Sequence, residues 1–150
     1  STRQWAGSVK WVEETDIKYI EPAKEICMQI ELLTDKYTVC KTERPDAIDW
    51  SAPFLFIGKT DSEFSLVCPT AFVPVDTLER EDGWRAMRVA GPMEFALVGI
   101  LARISGILAA GDIAIFAVST YDTDYILVKE DSFTKAADLL AKNGYTILPG

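Results

Sequence analysis

The spacing of hydrophobic and polar positions predicts a strand-rich first half and a second half in which strands and helices alternate. Residues 28–32 are apolar at every second position, and the alternation resumes over 37–39 after a polar turn at 34–36. Two further β-rich runs, 54–60 and 64–68, flank a short polar turn and predict a hairpin. We therefore expect the first half to form strands joined by turns and one long loop.

The pattern is weaker in residues 1–27, which we expect to be an extension of the domain. Val9, Trp11 and Ile17 could alternate along short strands. A helix fits part of the segment as well, with Pro22 in its first turn. The residues alone leave both alternatives open.

A long apolar run at 95–110 predicts a helix in the second half. Before it, residues 84–90 predict a strand that ends at Gly91 and Pro92. The run is apolar on nearly every side, so the helix is expected to be buried on more than one face. Gly111 is expected to end it at the C′ position in the left-handed conformation.

The residues after this helix predict a second hairpin and a second helix. Residues 113–119 are apolar at consecutive positions, as in a central strand covered on both faces, and a turn at 121–123 leads into a neighbouring strand at 125–129. Asp131 or Ser132 is expected to cap the second helix.

The second helix is expected to run to Asn143 and to end at Gly144, before a last strand at 145–148. The second half then has the order strand, helix, strand, strand, helix, strand, which is the ferredoxin-like arrangement of an α+β fold. This arrangement supports many functions, so it names none by itself.

The composition argues against several classes of function. The 15 Lys+Arg stand against 23 Asp+Glu, and the net charge of -8 disfavours nucleic acid and anionic membrane surfaces as partners. The chain has no histidine, which excludes Ser-His-Asp catalysis and His-ligated zinc. Cys27, Cys40 and Cys68 lack metal-ligand spacing and are expected to be reduced thiols. We therefore expect a cytoplasmic protein that holds no metal and no cofactor.

Three runs in the second half are specific enough to indicate a family. Residues 91–102, 108–113 and 115–128 resemble ACT-domain proteins of the CASTOR type, which are amino-acid sensors. The resemblance implies a tandem pair of ferredoxin-like (βαββαβ) ACT units with an antiparallel sheet and helices on one face. The implied division is an extension at 1–27, a first irregular unit at 28–76, a linker at 77–83 and a second unit at 84–150.

The resemblance also implies a small-molecule site, usually for an amino acid, at an interface between units. The family pattern falls on Gly91, Glu94, Thr120, Tyr121 and Asp124. Independently, the strand–helix junction at 91–95 offers backbone N–H groups to a carboxylate, and two aspartates two positions apart suit a cation. The predicted ligand-binding residues are Gly91, Glu94, Phe95, Thr120, Tyr121, Asp122 and Asp124.

Two other functions compete with ligand binding. An enzyme without histidine would have to use carboxylates such as Asp122 and Asp124 as acid and base. A subunit that oligomerises without a ligand could bury the helix at 95–110 against a second chain, although residues 1–27 could cover the same face. ACT sites usually form between units, so a homodimer is expected.

Overall fold

The computed structural model describes residues 28–90 and 98–150. The predicted extension at 1–27 and the predicted site residues Gly91, Glu94 and Phe95 lie outside the described residues. The elements in chain order are β1 (Gln29–Leu32), β2 (Tyr37–Lys41), β3 (Phe56–Lys59), β4 (Phe64–Pro69), β5 (Glu79–Ala90), α1 (Ile100–Ala110), β6 (Phe116–Ser119), β7 (Asp124–Lys129), α2 (Glu130–Lys142) and β8 (Thr146–Leu148).

All the described strands join one sheet around the long strand β5. β1 and β2 lie end to end along one edge of β5, where Leu32 pairs with Met87 and Tyr37 pairs with Trp84. β7 pairs with the opposite edge of β5, and β6 pairs with β7. β8 is parallel to β1, whereas every other pair in the described sheet, including β2–β4 and β3–β4, is antiparallel.

Both helices cover one face of this sheet. Strand residues whose side chains alternate toward the helices, such as Ile30, Met87 and Val89, are at most 1% exposed. They pack against Ile104 of α1 and Leu140 of α2, both fully buried. This cluster is the main core, and burial of each large side chain contributes roughly 1.5–3 kcal/mol.

Aromatic side chains cover part of the other face. Tyr37 and Tyr125 lie on this face, and the ring of Phe54 packs on both, with centroid distances of 4.6 Å and 5.1 Å. Phe56 adds an edge-on contact with Tyr125 at 5.5 Å. The loop before β3 therefore shields strands that belong to the second half of the chain.

The structure confirms the element order predicted for the second half. Strands, turns and helices follow in the βαββαβ order, with the hairpin turn at 121–123 in place. The β3–β4 hairpin of the first half is confirmed as well. One finding adds to the expected antiparallel sheet, because the β1–β8 pair is parallel.

The segment predicted as a linker, 77–83, is mostly strand, because β5 already begins at Glu79. Its polar residues are accommodated by pairing with β2 and by bonds among themselves, such as Arg80 to Asp82 at 2.8 Å. β1, which the prediction assigns to the first unit, lies between β5 and β8 of the second. The division into two units stays a prediction, but the described sheet is continuous across it.

Helix α1 begins later and is less buried than predicted. It starts at Ile100 rather than Phe95, with Gly99 at the N-cap position. Ile104 and Leu108 form its one fully buried stripe, and the residues opposite them have small side chains and are exposed. Within the described part of a single chain the helix is therefore buried on one face, and burial of its outer side against a second chain or residues 1–27 stays a prediction.

The predicted role of Gly111 is also corrected. Gly111 has φ -87°, and the left-handed residue is Asp112 with φ 60°. A glycine at 111 leaves room for α2, because an added Cβ would lie 2.3 Å from Cδ1 of Leu139 and would displace that side chain. The close approach of the two helices thus explains this residue.

Two further predictions about the second half are wrong. β6 is an edge strand that pairs with β7 within the described residues, not a central strand. Neither Asp131 nor Ser132 caps α2, since β7 runs directly into the helix and Lys129 is the N-cap residue. Asp131 lies instead in the first turn, where its negative charge interacts favourably with the helix dipole.

Among the described helices, none has the length and apolar character needed to cross a bilayer.

Candidate functional site

The turn between β6 and β7 carries four of the predicted site residues. It is closed by Thr120, whose backbone N–H donates to the Thr123 carbonyl at 2.8 Å. The Thr120 hydroxyl donates to the same carbonyl at 3.1 Å and accepts from the Thr123 N–H at 3.2 Å. A threonine hydroxyl that bonds nearby backbone groups stabilises a tight turn. The turn is therefore a fixed element of the fold.

Asp124 is the best-held carboxylate of this turn. Ser119 lies directly opposite on β6, and its hydroxyl donates to Oδ1 of Asp124 at 2.5 Å. Side chains alternate along β7, so Asp124 shares a face with Ile126 and Val128, which belong to the helix-side core. Asp124 is half-buried, and the contact from Ser119 engages one of its two oxygens.

The other residues of the turn are exposed. Thr120 and Asp122 lie at the surface, and the side chain of Tyr121 is 82% exposed. The structure thus brings Thr120, Tyr121, Asp122 and Asp124 together at one end of the sheet. The two aspartates differ, because Asp122 projects from the tip whereas Asp124 begins a strand.

Thr123, which the sequence analysis did not single out as a site residue, fastens this turn to β5. Its hydroxyl donates to the carbonyl of Val89, next to the last residue of that strand. The acidic turn therefore lies beside the point where β5 ends. No local pattern marks this role, since the contact joins residues 34 positions apart.

The start of α1 is the second candidate part of the site, since it follows the end of β5 in the sequence. Gly99 has φ 84°, a conformation that favours glycine, and no side chain caps the helix. Its carbonyl already accepts from the Arg103 N–H at 2.9 Å. The N–H groups of Ile100, Leu101 and Ala102 precede the first intrahelical donor, so they and the positive end of the helix dipole can serve an anion.

An arginine network on the opposite face of the sheet was not predicted. Arg88 of β5 pairs with Glu31 of β1 on one side and with Tyr125 of β7 on the other. Its guanidinium donates to Oε2 of Glu31 at 2.5 Å and 3.1 Å. The hydrogen bonds with Glu31 and then with Tyr125 raise the pKa of Arg88. Because its main partners are strands of the sheet, the network serves cross-strand pairing.

A shallow groove between α1 and α2 is separate from the predicted site. Its walls include Gly106 and Ile107 of α1 and Leu139 of α2. Arg103 closes one end, where its guanidinium donates to the Asn143 carbonyl at 3.1 Å. Since its walls are mostly apolar, the groove is poorly suited to the charged ends of an amino acid.

The described residues give no support for metal chemistry. In 28–90 and 98–150, no three His, Cys, Asp or Glu residues are arranged to hold an ion. Cys40 and Cys68 are buried free thiols, and burial raises both pKa values, that of Cys68 to about 11. They behave as core residues, whereas Cys27 lies outside the described residues.

A family model, curated proteins and solved structures all show similarity to this chain. Residues 79–142 match the family model described as ACT domain. A 60-residue stretch, 39% of the chain, is 40% identical to the human protein named cytosolic arginine sensor for mTORC1 subunit 1 and 42% identical to the mouse one. The matched stretch spans 18% of the length of those curated relatives.

Solved structures extend the similarity to most of the chain. A crystal structure of an Agrobacterium tumefaciens protein is 31% identical, with a TM-score of 0.73 over 82% of this chain and 93% of that one. The aspartate kinase of Synechocystis, at 18% identity, shares the fold with a TM-score of 0.59 over 84% of this chain and 29% of that one. The matched family model and the βαββαβ order of the same region agree, and residues 79–142 of this chain belong to the ACT-domain family.

Proposed function

We propose that this chain is a regulatory protein that binds a free amino acid and does not act as an enzyme. The observation that carries the proposal is Asp124, a half-buried carboxylate that Ser119 holds at 2.5 Å in a turn fixed beside the end of β5. A carboxylate in this position suits a ligand ammonium or guanidinium. Thr120 and Tyr121 would line the same space.

The other half of an amino acid needs donors for its carboxylate. The uncapped first turn of α1 supplies N–H groups at Ile100 and beyond, and residues 91–99 separate this turn from the end of β5. The predicted contacts of Gly91, Glu94 and Phe95 lie outside the described residues and stay predictions. The proposal thus combines an acidic turn, which favours a positively charged group, with a helix N-terminus, which favours a negatively charged one.

Similarity supports the amino-acid class of ligand. The relatives that match a 60-residue stretch of this chain are named as arginine sensors, and crystal structures with the same fold include a regulatory subunit of aspartate kinase. Because the match covers 18% of the sensors' length, the ligand, the regulated partner and a cytoplasmic location are proposals for this chain. A cationic amino acid fits the acidic turn best.

Catalysis at the same carboxylates is disfavoured by their surroundings. Asp122 is exposed to solvent. A general acid or base must be held within hydrogen-bond reach of a bound substrate, and an exposed side chain at a turn is poorly placed for this. Oδ1 of Asp124 accepts a hydrogen bond from Ser119, which orients the carboxylate at the start of β7. These carboxylates therefore suit electrostatic binding better than general acid–base chemistry.

We also propose that the chain forms a homodimer. β3, β6 and β8 are the outer strands of the described sheet, and the outer side of α1 is exposed and has mostly small side chains. Such edges and faces favour association with a second copy. Light scattering should give a mass near twice 16.6 kDa.

A thermal-shift screen of the twenty free amino acids tests the proposed function. L-Arginine at 100 times its dissociation constant should stabilise the protein by about 2.7 kcal/mol. L-Citrulline, which has nearly the same shape without the charge, is the matched control and should stabilise much less. Recovery of unchanged L-arginine after long incubation separates a binder from an enzyme. No stabilisation by any amino acid would contradict the proposal and favour the ligand-free subunit.

A further inference from the structure

We propose that Thr123 is a positioning residue of the amino-acid site, whose hydroxyl fixes the acidic turn against the end of β5. The inference rests on the proposed function. Thr123 does not need to touch the ligand in this role. It acts on Asp124, the next residue in the chain, by fixing where the turn begins.

The first observation is that the β5–β7 ladder stops short of the turn. Its last pair is Arg88 with Tyr125, and the same register continued would place Thr123 opposite Ala90. Beyond that last pair, the Thr123 hydroxyl donates to the carbonyl of Val89. Val89 is 1% exposed, so its carbonyl depends on protein donors more than on water. A side chain therefore adds one more link after the backbone ladder has ended.

The second observation is that the turn forms independently of this link. Thr120 closes the turn with its own N–H and hydroxyl, using only the backbone of Thr123. The side chain of Thr123 is left for Val89. Substituting that side chain therefore removes the link between the turn and Val89 without removing the bonds that shape the turn.

The consequence concerns the geometry of Asp124. Asp124 is held on one side by Ser119 of β6, an edge strand of the described sheet that pairs with β7. Asp124 lies between two links to β5 in the described structure, the Tyr125–Arg88 pair that ends the ladder and the Thr123 hydroxyl on the turn side. Sites that bind a ligand tightly keep their groups within roughly 0.5 Å of the productive geometry. Loss of the anchor should therefore weaken binding.

The test compares three variants. Thr123→Val removes the hydroxyl with little change of shape, and Thr123→Ser keeps a hydroxyl at the same position. Thr146→Val is the matched control, since Thr146 is an exposed strand threonine in β8. L-Arginine and the other nineteen amino acids are the probes, and affinities are measured well below the melting temperature, where every variant is folded.

Two measurements decide the outcome. We expect Thr123→Val to weaken binding of the best probe about tenfold, Thr123→Ser to stay within about twofold of wild type, and Thr146→Val to bind normally. The Val89 carbonyl carbon resonance of the ligand-free protein should move in Thr123→Val and stay in place in Thr146→Val.

An unmoved Val89 resonance in Thr123→Val would overturn the anchor. A moved resonance with unchanged affinity would overturn the positioning role, because the contact would then serve stability alone. An equal loss of binding in Thr123→Ser would overturn it as well. Wild type that binds none of the amino acids would instead contradict the proposed function, and it would remove the site that Thr123 is inferred to position.

Discussion

Asp124 combines features that seldom occur together in a turn carboxylate. It is half-buried, its Oδ1 accepts from Ser119, and alternation along β7 places it on the helix side of the sheet. A carboxylate that merely shapes a turn usually bonds its own backbone, as Asp49 does with the N–H of Ser51. The turn at 120–123 already has Thr120 for that purpose. The charge of Asp124 is therefore available for a ligand.

Asp124→Asn should weaken binding of a cationic amino acid by on the order of 1.5–3 kcal/mol, which is roughly ten- to a hundredfold. The amide keeps the shape and can still accept from Ser119, so the melting temperature without ligand should change little. Titration calorimetry and thermal unfolding of the same variant measure both quantities. Asp61→Asn, at an exposed position in the β3–β4 turn, is the control for charge alone. Unchanged affinity with a lower melting temperature would assign Asp124 to the turn.

Because of Tyr37, the free energy of unfolding is expected to fall as the pH rises through the alkaline range. Burial, with a smaller contribution from the Asp35 carboxylate, raises the pKa of Tyr37 to about 12. The unfolded chain ionises this tyrosine near pH 10, so the stabilisation is complete below about pH 10 and is lost as pH rises toward about 12. Tyr37→Phe should therefore lose less stability over this window, by at most about 2–3 kcal/mol.

Urea unfolding at pH 9 and at higher pH measures the effect. The buried thiol of Cys68, whose pKa burial raises to about 11, contributes to the decline in both proteins, so the difference between them isolates Tyr37. Tyr121→Phe removes a hydroxyl from an 82% exposed ring and is the control. Parallel pH profiles for wild type and Tyr37→Phe would contradict the assignment.

At the scale of elements, the two glycines of α1 at positions 99 and 106 should respond in opposite directions to substitution by alanine. Gly106 is in the middle of the helix with open space around an added Cβ, so Gly106→Ala should stabilise the protein by roughly 1 kcal/mol. Gly99 also has open space, but its φ of 84° disfavours a side chain, so Gly99→Ala should destabilise by about 1–2 kcal/mol. Chemical denaturation of both variants measures the pair. Stabilisation would show that the outer side of α1 is open and that the proposed homodimer forms through a sheet edge, whereas destabilisation would show that another surface approaches this side.

The position of β1 predicts how the chain can be divided. β1 lies between β5 and β8, and its residue Ile30 is fully buried in the helix-side core. A fragment of residues 84–150 would lack this strand and leave β8 without its parallel partner. We expect it to lack cooperative urea unfolding, whereas a chain beginning at Met28 should unfold in one transition. Cooperative unfolding of 84–150 would show that the second unit is self-sufficient.

The sequence predicted most of the elements because their signals are local. Alternation over 28–32, the polar hairpin turns and Gly144, which ends α2 with φ 94°, all depend on residues close in the chain. The order of elements then followed from simple counting. The site prediction rested on the resemblance to one family, and its residues that the structure describes lie in the β6–β7 turn and at the start of β7.

The failures have physical causes that act over long distances. The polar residues at 79–83 form strand because β2 pairs with them, and no pattern within the segment announces that partner. Gly111 is explained by Leu139 of the other helix, 28 positions later. The Thr123–Val89 contact likewise joins separate elements. Such features depend on tertiary packing, which overrides local preference.

At the scale of the whole molecule, the charge and the fold favour the same class of ligand. The net charge of -8 attracts cations and repels anions, and this effect weakens with salt. The central strand β5 is paired on both edges, so the acidic turn that Thr123 fastens to it has a rigid support. A cationic amino acid would therefore meet a negatively charged protein at a fixed carboxylate.

The most direct test of the central claim is an NMR titration of the backbone amides of this protein with L-arginine. The account predicts saturable shifts at residues 119–124 and at the first turn of α1 from Ile100, with smaller effects in the α1–α2 groove and in β3. L-Citrulline should produce much weaker shifts at the acidic turn. Saturable shifts confined to the groove beside Gly106, or no saturable shifts with any amino acid, would contradict the assignment of the site to Asp124.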